Sequence, residues 1–108
     1  MSNFRDFVVR SALAACVLGA GIDPGLAADE SHGEQLARRW CASCHVVADD
    51  QTRGTDYVPT FAAIAKRPNL NADEIARFLR NPHPVMPDMD LSVPESSDLA
   101  AYIASLAK

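Results

Sequence analysis

The residues best suited to chemistry stand together at positions 41–45, where Cys41, Ala42, Ser43, Cys44 and His45 gather two of the chain's three cysteines and one of its three histidines. Thiols three positions apart lie on nearly one face of a helical turn, and the histidine that follows is carried beneath them. That spacing suits covalent attachment of a haem, with each thiol adding across one of two vinyl groups on adjacent pyrroles and His45 reaching the iron. Three other chemistries would use the same atoms: a Cys41–Cys44 disulfide, a thioredoxin-like redox pair, or a zinc site completed by His32 or His83. A redox pair normally opens a helix after a strand, whereas here a helical pattern precedes the cysteines. Structural zinc takes a second close-spaced ligand pair, and His32 and His83 are isolated.

A second axial ligand must come from far along the chain, and segment 81–90 is the natural supplier, because it holds His83, Met86 and Met89 among Pro82, Pro84 and Pro87. Thioether sulfur is a weak ligand that has to be positioned in advance, and fixed proline torsions lower the entropy cost of doing so. Met86, followed by Pro87, is the expected distal ligand. Met89 is expected to pack as an apolar filler, and His83 offers a bis-histidine alternative.

Helices must position these groups. Ser31 and Glu34 have the spacing of a capping box, after which Leu36, Ala37, Trp40, Cys41 and Cys44 share one face, and Glu34, Gln35, Arg38 and Arg39 the other. The cysteines therefore fall at the inner end of an amphipathic helix. Ser92 and Glu95 repeat the capping pattern ahead of a stripe of Leu99, Tyr102, Ile103 and Leu106, with Pro94 in the first turn. Asn71 and Glu74 cap a segment striped by Ile75, Phe78 and Leu79 that Asn81 and Pro82 terminate, and a shorter helix is expected over about residues 60–66. Strand signals are nearly absent, so the expected fold is all-α, with three to four helices. The connections 46–59 and 81–91 are long for such a protein, which is the mark of loops that wrap something.

The 108 residues, 48% hydrophobic and 22% charged, allow one domain. Arg5 and Arg10 precede an apolar run over residues 11–22, and small residues at 25–28 follow it, the pattern of a secretory signal. The run is about a dozen residues, short of the roughly 20 that span a bilayer, so residues 1–27 are expected to be removed and 28–108 to form the mature domain. Cleavage after Ala27 places Gly25 and Ala27 at the recognition positions, whereas cleavage after Ala28 would place Leu26 at the outer one. A rival processing pattern, Leu13, Ala14, Ala15 and Cys16, would leave Cys16 acylated. Export to the periplasm without stable membrane insertion is the expectation.

The first 27 residues hold Asp6, Asp23, Arg5 and Arg10, which leaves 12 acidic against 8 basic side chains in the mature segment. This balance does not suit nucleic acid or anionic lipid and is complemented by a partner with a basic docking face. A domain of about 80 residues buries only about 60–65% of its unfolded surface, so a staple such as a cofactor is expected inside it.

Taken together these residues resemble the class I c-type cytochromes over essentially all of the mature chain. Gly33, eight residues before Cys41, matches the family glycine that lets the N-terminal helix cross an aromatic of the C-terminal helix, here Tyr102. The segment Tyr57, Val58, Pro59, Thr60 and Phe61 is similar to the family segment whose proline carbonyl accepts a hydrogen bond from the ligand histidine, so the resemblance implies that Pro59 orients His45. Val58 stands where the family often has glycine. The run from Pro84 to Pro87, leading into Asp90, Leu91 and Ser92, is similar to the family's methionine loop and favours Met86 over Met89. The resemblance implies a cytochrome c-like fold around one covalent haem c and a single-electron carrier rather than an enzyme. It also implies redox proteins as donor and acceptor, with the chain a monomer or a subunit of a redox complex. The alternatives that share these residues are a haem subunit held by a periplasmic dehydrogenase or reductase, and a sensor or haem enzyme in which Met86 is displaceable. With His45 and Met86 both on the iron, a fairly positive reduction potential is expected. Trp40, Val46, Phe61, Ile64, Phe78 and Leu79 are the expected apolar wall of the haem site.

Overall fold

A computed structural model of the chain describes residues 27–55, 57–81 and 84–108. The expected signal segment up to residue 26, the alternative acylation site Cys16 and the alternative ligand His83 lie outside the described residues. The described residues form four helices, α1 (Glu30–Trp40), α2 (Phe61–Ala65), α3 (Ala72–Leu79) and α4 (Val93–Ser105), and contain no strand.

Each helix begins at a side chain that takes up an otherwise unpaired N–H. Thr60 caps α2, and Asn71 with Glu74 and Ser92 with Glu95 form complete capping boxes on α3 and α4. Such a cap contributes about 1 kcal/mol. On α1 the cap differs from the expected Ser31–Glu34 box: Asp29, two residues earlier, accepts the N–H of His32 at 3.0 Å. The cause is tertiary. Asp98 on α4 accepts the backbone N–H of Asp29 at 2.7 Å and pairs with the His32 ring at 2.7 Å, so the chain is pinned to α4 where the helix begins. The helix also ends before the cysteines, at Trp40 with Cys41 as its C-cap, and Cys41–Cys44 continue it only as a turn, with the His45 N–H reaching the Cys41 carbonyl at 2.9 Å.

The core forms where α1, α2 and α3 lean on α4. Leu36 and Ala37 of α1, Ile75 and Leu79 of α3, and Leu99, Ala100, Tyr102 and Ile103 of α4 are buried together. Gly33 is buried at the α1–α4 crossing, and a Cβ there would run into the Asp98 backbone carbonyl and the Cβ of Tyr102. The crossing is therefore open only to glycine, as the resemblance implied. Ser96, fully buried on α4, accepts a hydrogen bond from Arg80 at 2.8 Å and donates to the Val93 carbonyl at 2.9 Å, which fastens the end of α3 to α4.

Candidate haem site

A cavity of about 590 Å³ is walled by the 41–45 turn, the segment from Tyr57 to Leu70, α3, and residues 85–89. Such a volume is within the roughly 300–1,000 Å³ usual for cofactor sites.

The turn at 41–45 is held from several directions. Gln51 accepts the Val47 N–H at 2.9 Å, and its amide donates to the carbonyls of Ala42 at 3.0 Å and His45 at 2.8 Å and, at close range, of Arg53. The Thr55 N–H and hydroxyl both reach the Cys44 carbonyl. From α4 the buried Tyr102 hydroxyl donates to the Val47 carbonyl at 2.6 Å, and burial raises the pKa of that phenol. A glutamine in a polar loop has no local signature, so Gln51 was absent from the residues the sequence singled out. The signal that would have found it is the number of loop carbonyls left without helix partners between residues 42 and 53.

His45 lines the cavity beside both cysteines. Its Nδ1 is 2.6 Å from the Pro59 carbonyl oxygen. A carbonyl only accepts, so Nδ1 carries the proton in this contact, which leaves Nε2 as the ring atom available to a metal. Val58, in place of the glycine often found there, leaves this contact intact. The ring lies 5.3 Å from that of Phe61, tilted by 49°, and the Phe61 N–H is tied to the Val46 carbonyl at 3.0 Å. The bond and the tilted Phe61 ring together fix the imidazole orientation.

Cys41 is buried and Cys44 exposed, both as free thiols on the cavity wall. Burial, with a smaller contribution from neighbouring Cys44, pushes the Cys41 thiol up to about 11. That opposes a redox-pair reading, because redox-active Cys-x-x-Cys motifs hold their nucleophilic thiol below the ordinary value. His32, one of the two residues considered for zinc, is engaged by Asp98 and does not line the cavity.

The remaining wall is largely apolar. Trp40, Phe61, Ile64, Phe78 and Leu79 all line it. Val46 does not: its side chain is pressed against Gly54, where an added Cβ would sit 2.7 Å from Val46 Cγ2, and it packs the loop instead. Trp40 and Phe78, 52% and 49% exposed, turn their rings to the cavity rather than the core, and the Arg39 guanidinium lies 5.7 Å from the Trp40 ring. Met86 and Met89 both line the cavity, and Met86 also packs against the hydrophobic core. Tyr57, Leu70, Ile75 and Val85 complete a wall that sequence periodicity had not assembled. The donor set, two thiols, an oriented imidazole and thioethers around an apolar space, fits a flat apolar macrocycle with two reactive vinyl groups and a central iron.

This fold and donor set define a c-type cytochrome domain. Residues 28–103 match the family described as cytochrome C oxidase, cbb3-type, subunit III, and the chain belongs to that family. It is 54% identical over 81 residues to cytochrome c-552 of Bradyrhizobium diazoefficiens, an alignment that covers 75% of this chain and 78% of the relative. No solved structure matches the chain. The protein is a small all-α c-type cytochrome that carries covalently bound haem c and transfers electrons rather than catalysing a reaction of its own. Redox proteins are its partners, and among the described residues no helix is long and apolar enough to cross a membrane.

Proposed function

We propose that Cys41 and Cys44 form the two thioether links, that His45 and Met86 are the axial iron ligands, and that the protein is a periplasmic single-electron carrier. The observation that carries this reading is the 2.6 Å contact of His45 Nδ1 with the Pro59 carbonyl, on the wall shared by both thiols and Met86. When bound, the haem supplies a one-electron couple at its iron. Pro59 sets the imidazole orientation and raises its basicity. Met86, packed against the core between Pro84 and Pro87, would supply the second ligand to a bound haem iron at small entropic cost. Phe61, Ile75 and Leu79, buried on the cavity wall, would keep water from a bound haem, which would disfavour the extra charge of the oxidised state and raise the potential. With both of these side chains on the iron, no coordination site would be open to a substrate.

Optical spectra of the oxidised and reduced holoprotein test the ligand set. Sharp reduced bands with a weak far-red band in the oxidised form are expected, that band being lost in Met86→Ala and kept in Met89→Ala. Retention of the band in Met86→Ala would overturn the assignment of Met86.

Export with removal of residues 1–27 is supported by the apolar run at 11–22 behind Arg5 and Arg10, and by a family match that begins at residue 28. The intact mass of protein recovered from the periplasmic fraction checks it: a start at Ala28 agrees, and an acylated start at Cys16 would replace this reading with a membrane-anchored one. The acidic excess of residues 28–108 favours a partner with a basic docking face. A fixed place in a larger redox complex is the second reading, favoured by the description of the matched family as an oxidase subunit. Stable co-purification with an enzyme would favour it over a free carrier.

A further inference from the structure

Helix α3 faces two different spaces. Glu74, Ile75, Phe78 and Leu79 line the haem cavity, whereas Asp73, Ala76, Arg77 and the C-cap Arg80 line an open groove of about 360 Å³ that Val93 and Ser97 of α4 complete. The two spaces share no lining residue. Arg77 and Arg80 are both exposed and, three positions apart, stand on one side of the helix. Arg80 is fixed in place, because it donates at 2.8 Å to the hydroxyl of the fully buried Ser96, which in turn donates to the Val93 carbonyl at 2.9 Å. Arg77 Nε reaches the Asp73 backbone carbonyl at 3.4 Å. Neither guanidinium meets a carboxylate among the described residues, although Asp73 stands one turn from Arg77. Each therefore keeps most of its donors for an acceptor from outside the chain.

The local charge runs against that of the rest of the chain. Residues 66–80 hold four of the eight basic side chains of segment 28–108 but only two of its twelve acidic ones, which leaves four basic against ten acidic elsewhere in it. A large uniform polyanion, such as nucleic acid or an anionic membrane, would meet that acidic surround and be repelled. A short acidic peptide segment escapes this. Its carboxylates match the planar forks of Arg77 and Arg80, and an apolar side chain between them finds Val93, 62% exposed, and the buried Ala76. We propose that the α3–α4 groove docks an acidic, partly apolar segment of a redox partner protein through Arg77 and Arg80, on a face separate from the haem cavity. The protein thereby offers partners two faces of opposite charge, and one partner can hold it while another exchanges electrons at the haem. The proposal rests on the protein having redox partners and applies to a carrier and to a subunit of a complex alike.

The test is an amide NMR titration of the reduced holoprotein with a blocked peptide of glutamates interrupted by leucines, set against its glutamine counterpart. Shifts are expected at residues 73–80 and 93–97 with the glutamate peptide and not with the glutamine one. Arg77→Gln, which removes no bond inside the core, should weaken binding about fivefold, and the double variant with Arg80→Gln about twentyfold. Arg53→Gln removes a cation that does not line the groove and should leave the affinity as in wild type. Equal affinity of Arg77→Gln and wild type would overturn the proposal, as would shifts confined to the cavity wall at residues 41–45 and 85–89. Competition by inorganic phosphate at equal concentration would reduce the groove to an adventitious anion site and overturn it as a docking surface. Sedimentation that shows a holoprotein dimer dissociated by Arg77→Gln would give the groove to a second copy of the chain instead.

Discussion

The two long loops that enclose the cavity are held by opposite means. The loop at 46–59 is tied by side chains: Gln51 binds three carbonyls and one N–H, Tyr102 reaches in from α4, and Thr55 closes back on Cys44. The loop at 81–91 shows, among its described residues, an Asn81 N–H on the Phe78 carbonyl and a tight turn in which Asp88 accepts the Asp90 N–H at 2.9 Å, with Asp90 left-handed at φ 50°. Its stiffness comes from Pro84 and Pro87. On the proposed ligation, the strong imidazole ligand sits beside the better-anchored loop, and the weak thioether of Met86 sits on a loop restrained mainly through torsions. The histidine side is built to resist change, and the methionine side is where small perturbations should be felt as ligand exchange.

Breaking the anchored loop should give the largest effect. Gln51→Ala leaves the Val47 N–H and the Ala42 and His45 carbonyls to find water or go unpaired, and at about 1 kcal/mol for each lost contact the holoprotein should lose about 3 kcal/mol. Denaturant unfolding followed by haem absorbance measures it, and a loss below about 1 kcal/mol would mean that Gln51 does not organise the loop. Gly33→Ala acts on the scaffold behind both loops. Its methyl group meets the Asp98 carbonyl and Tyr102, and the forced separation of α1 from α4 should cost about 2 kcal/mol without altering the visible spectrum.

The proline-stiffened loop responds differently. Pro87→Ala frees one torsion next to Met86, worth about 1 kcal/mol or less in unfolded-chain entropy. Global stability should hardly move, yet added imidazole should displace the methionine from the oxidised protein with about fivefold higher affinity. Equal affinity in the two proteins would show that the loop is held by something other than its prolines.

Local signals were legible in the sequence, and long-range ones were not. The capping boxes at Asn71 and Ser92 appear where their spacing put them, because both partners of each hydrogen bond lie within one turn. The Ser31–Glu34 pattern was equally good locally but lost to Asp29, whose backbone is held by Asp98 from 69 positions away. Cys41, Cys44, His45, Pro59 and Met86 were all named from the sequence, and the structure brings them to one cavity. Met89, expected to pack as an apolar filler, lines the same wall as Met86. Phe78 carries the helical stripe of α3 yet turns to the cavity, while Val46 turns away from it to cover Gly54. Gln51 was missed because it has no periodic or motif signature, and its role exists only once distant segments meet.

The smallest effect should come from acid, and it should fall on the scaffold rather than on either loop. Burial of Asp98 would raise its pKa, but hydrogen bonds from His32 and from the Asp29 N–H outweigh that and hold the carboxyl below its ordinary value. A group whose folded pKa is depressed stabilises the fold above its unfolded value, about 3.9 for aspartate, and loses that contribution as pH falls through the folded value. Asp98→Asn should therefore be less stable than wild type by a constant amount, under about 1 kcal/mol, from neutral pH down to about pH 5. The gap should close below about pH 4 as the wild-type carboxyl takes up its proton. Unfolding curves at stepped pH decide it, since a gap that widens on acidification would mean that the α1–α4 anchor depends on a group other than the Asp98 carboxylate.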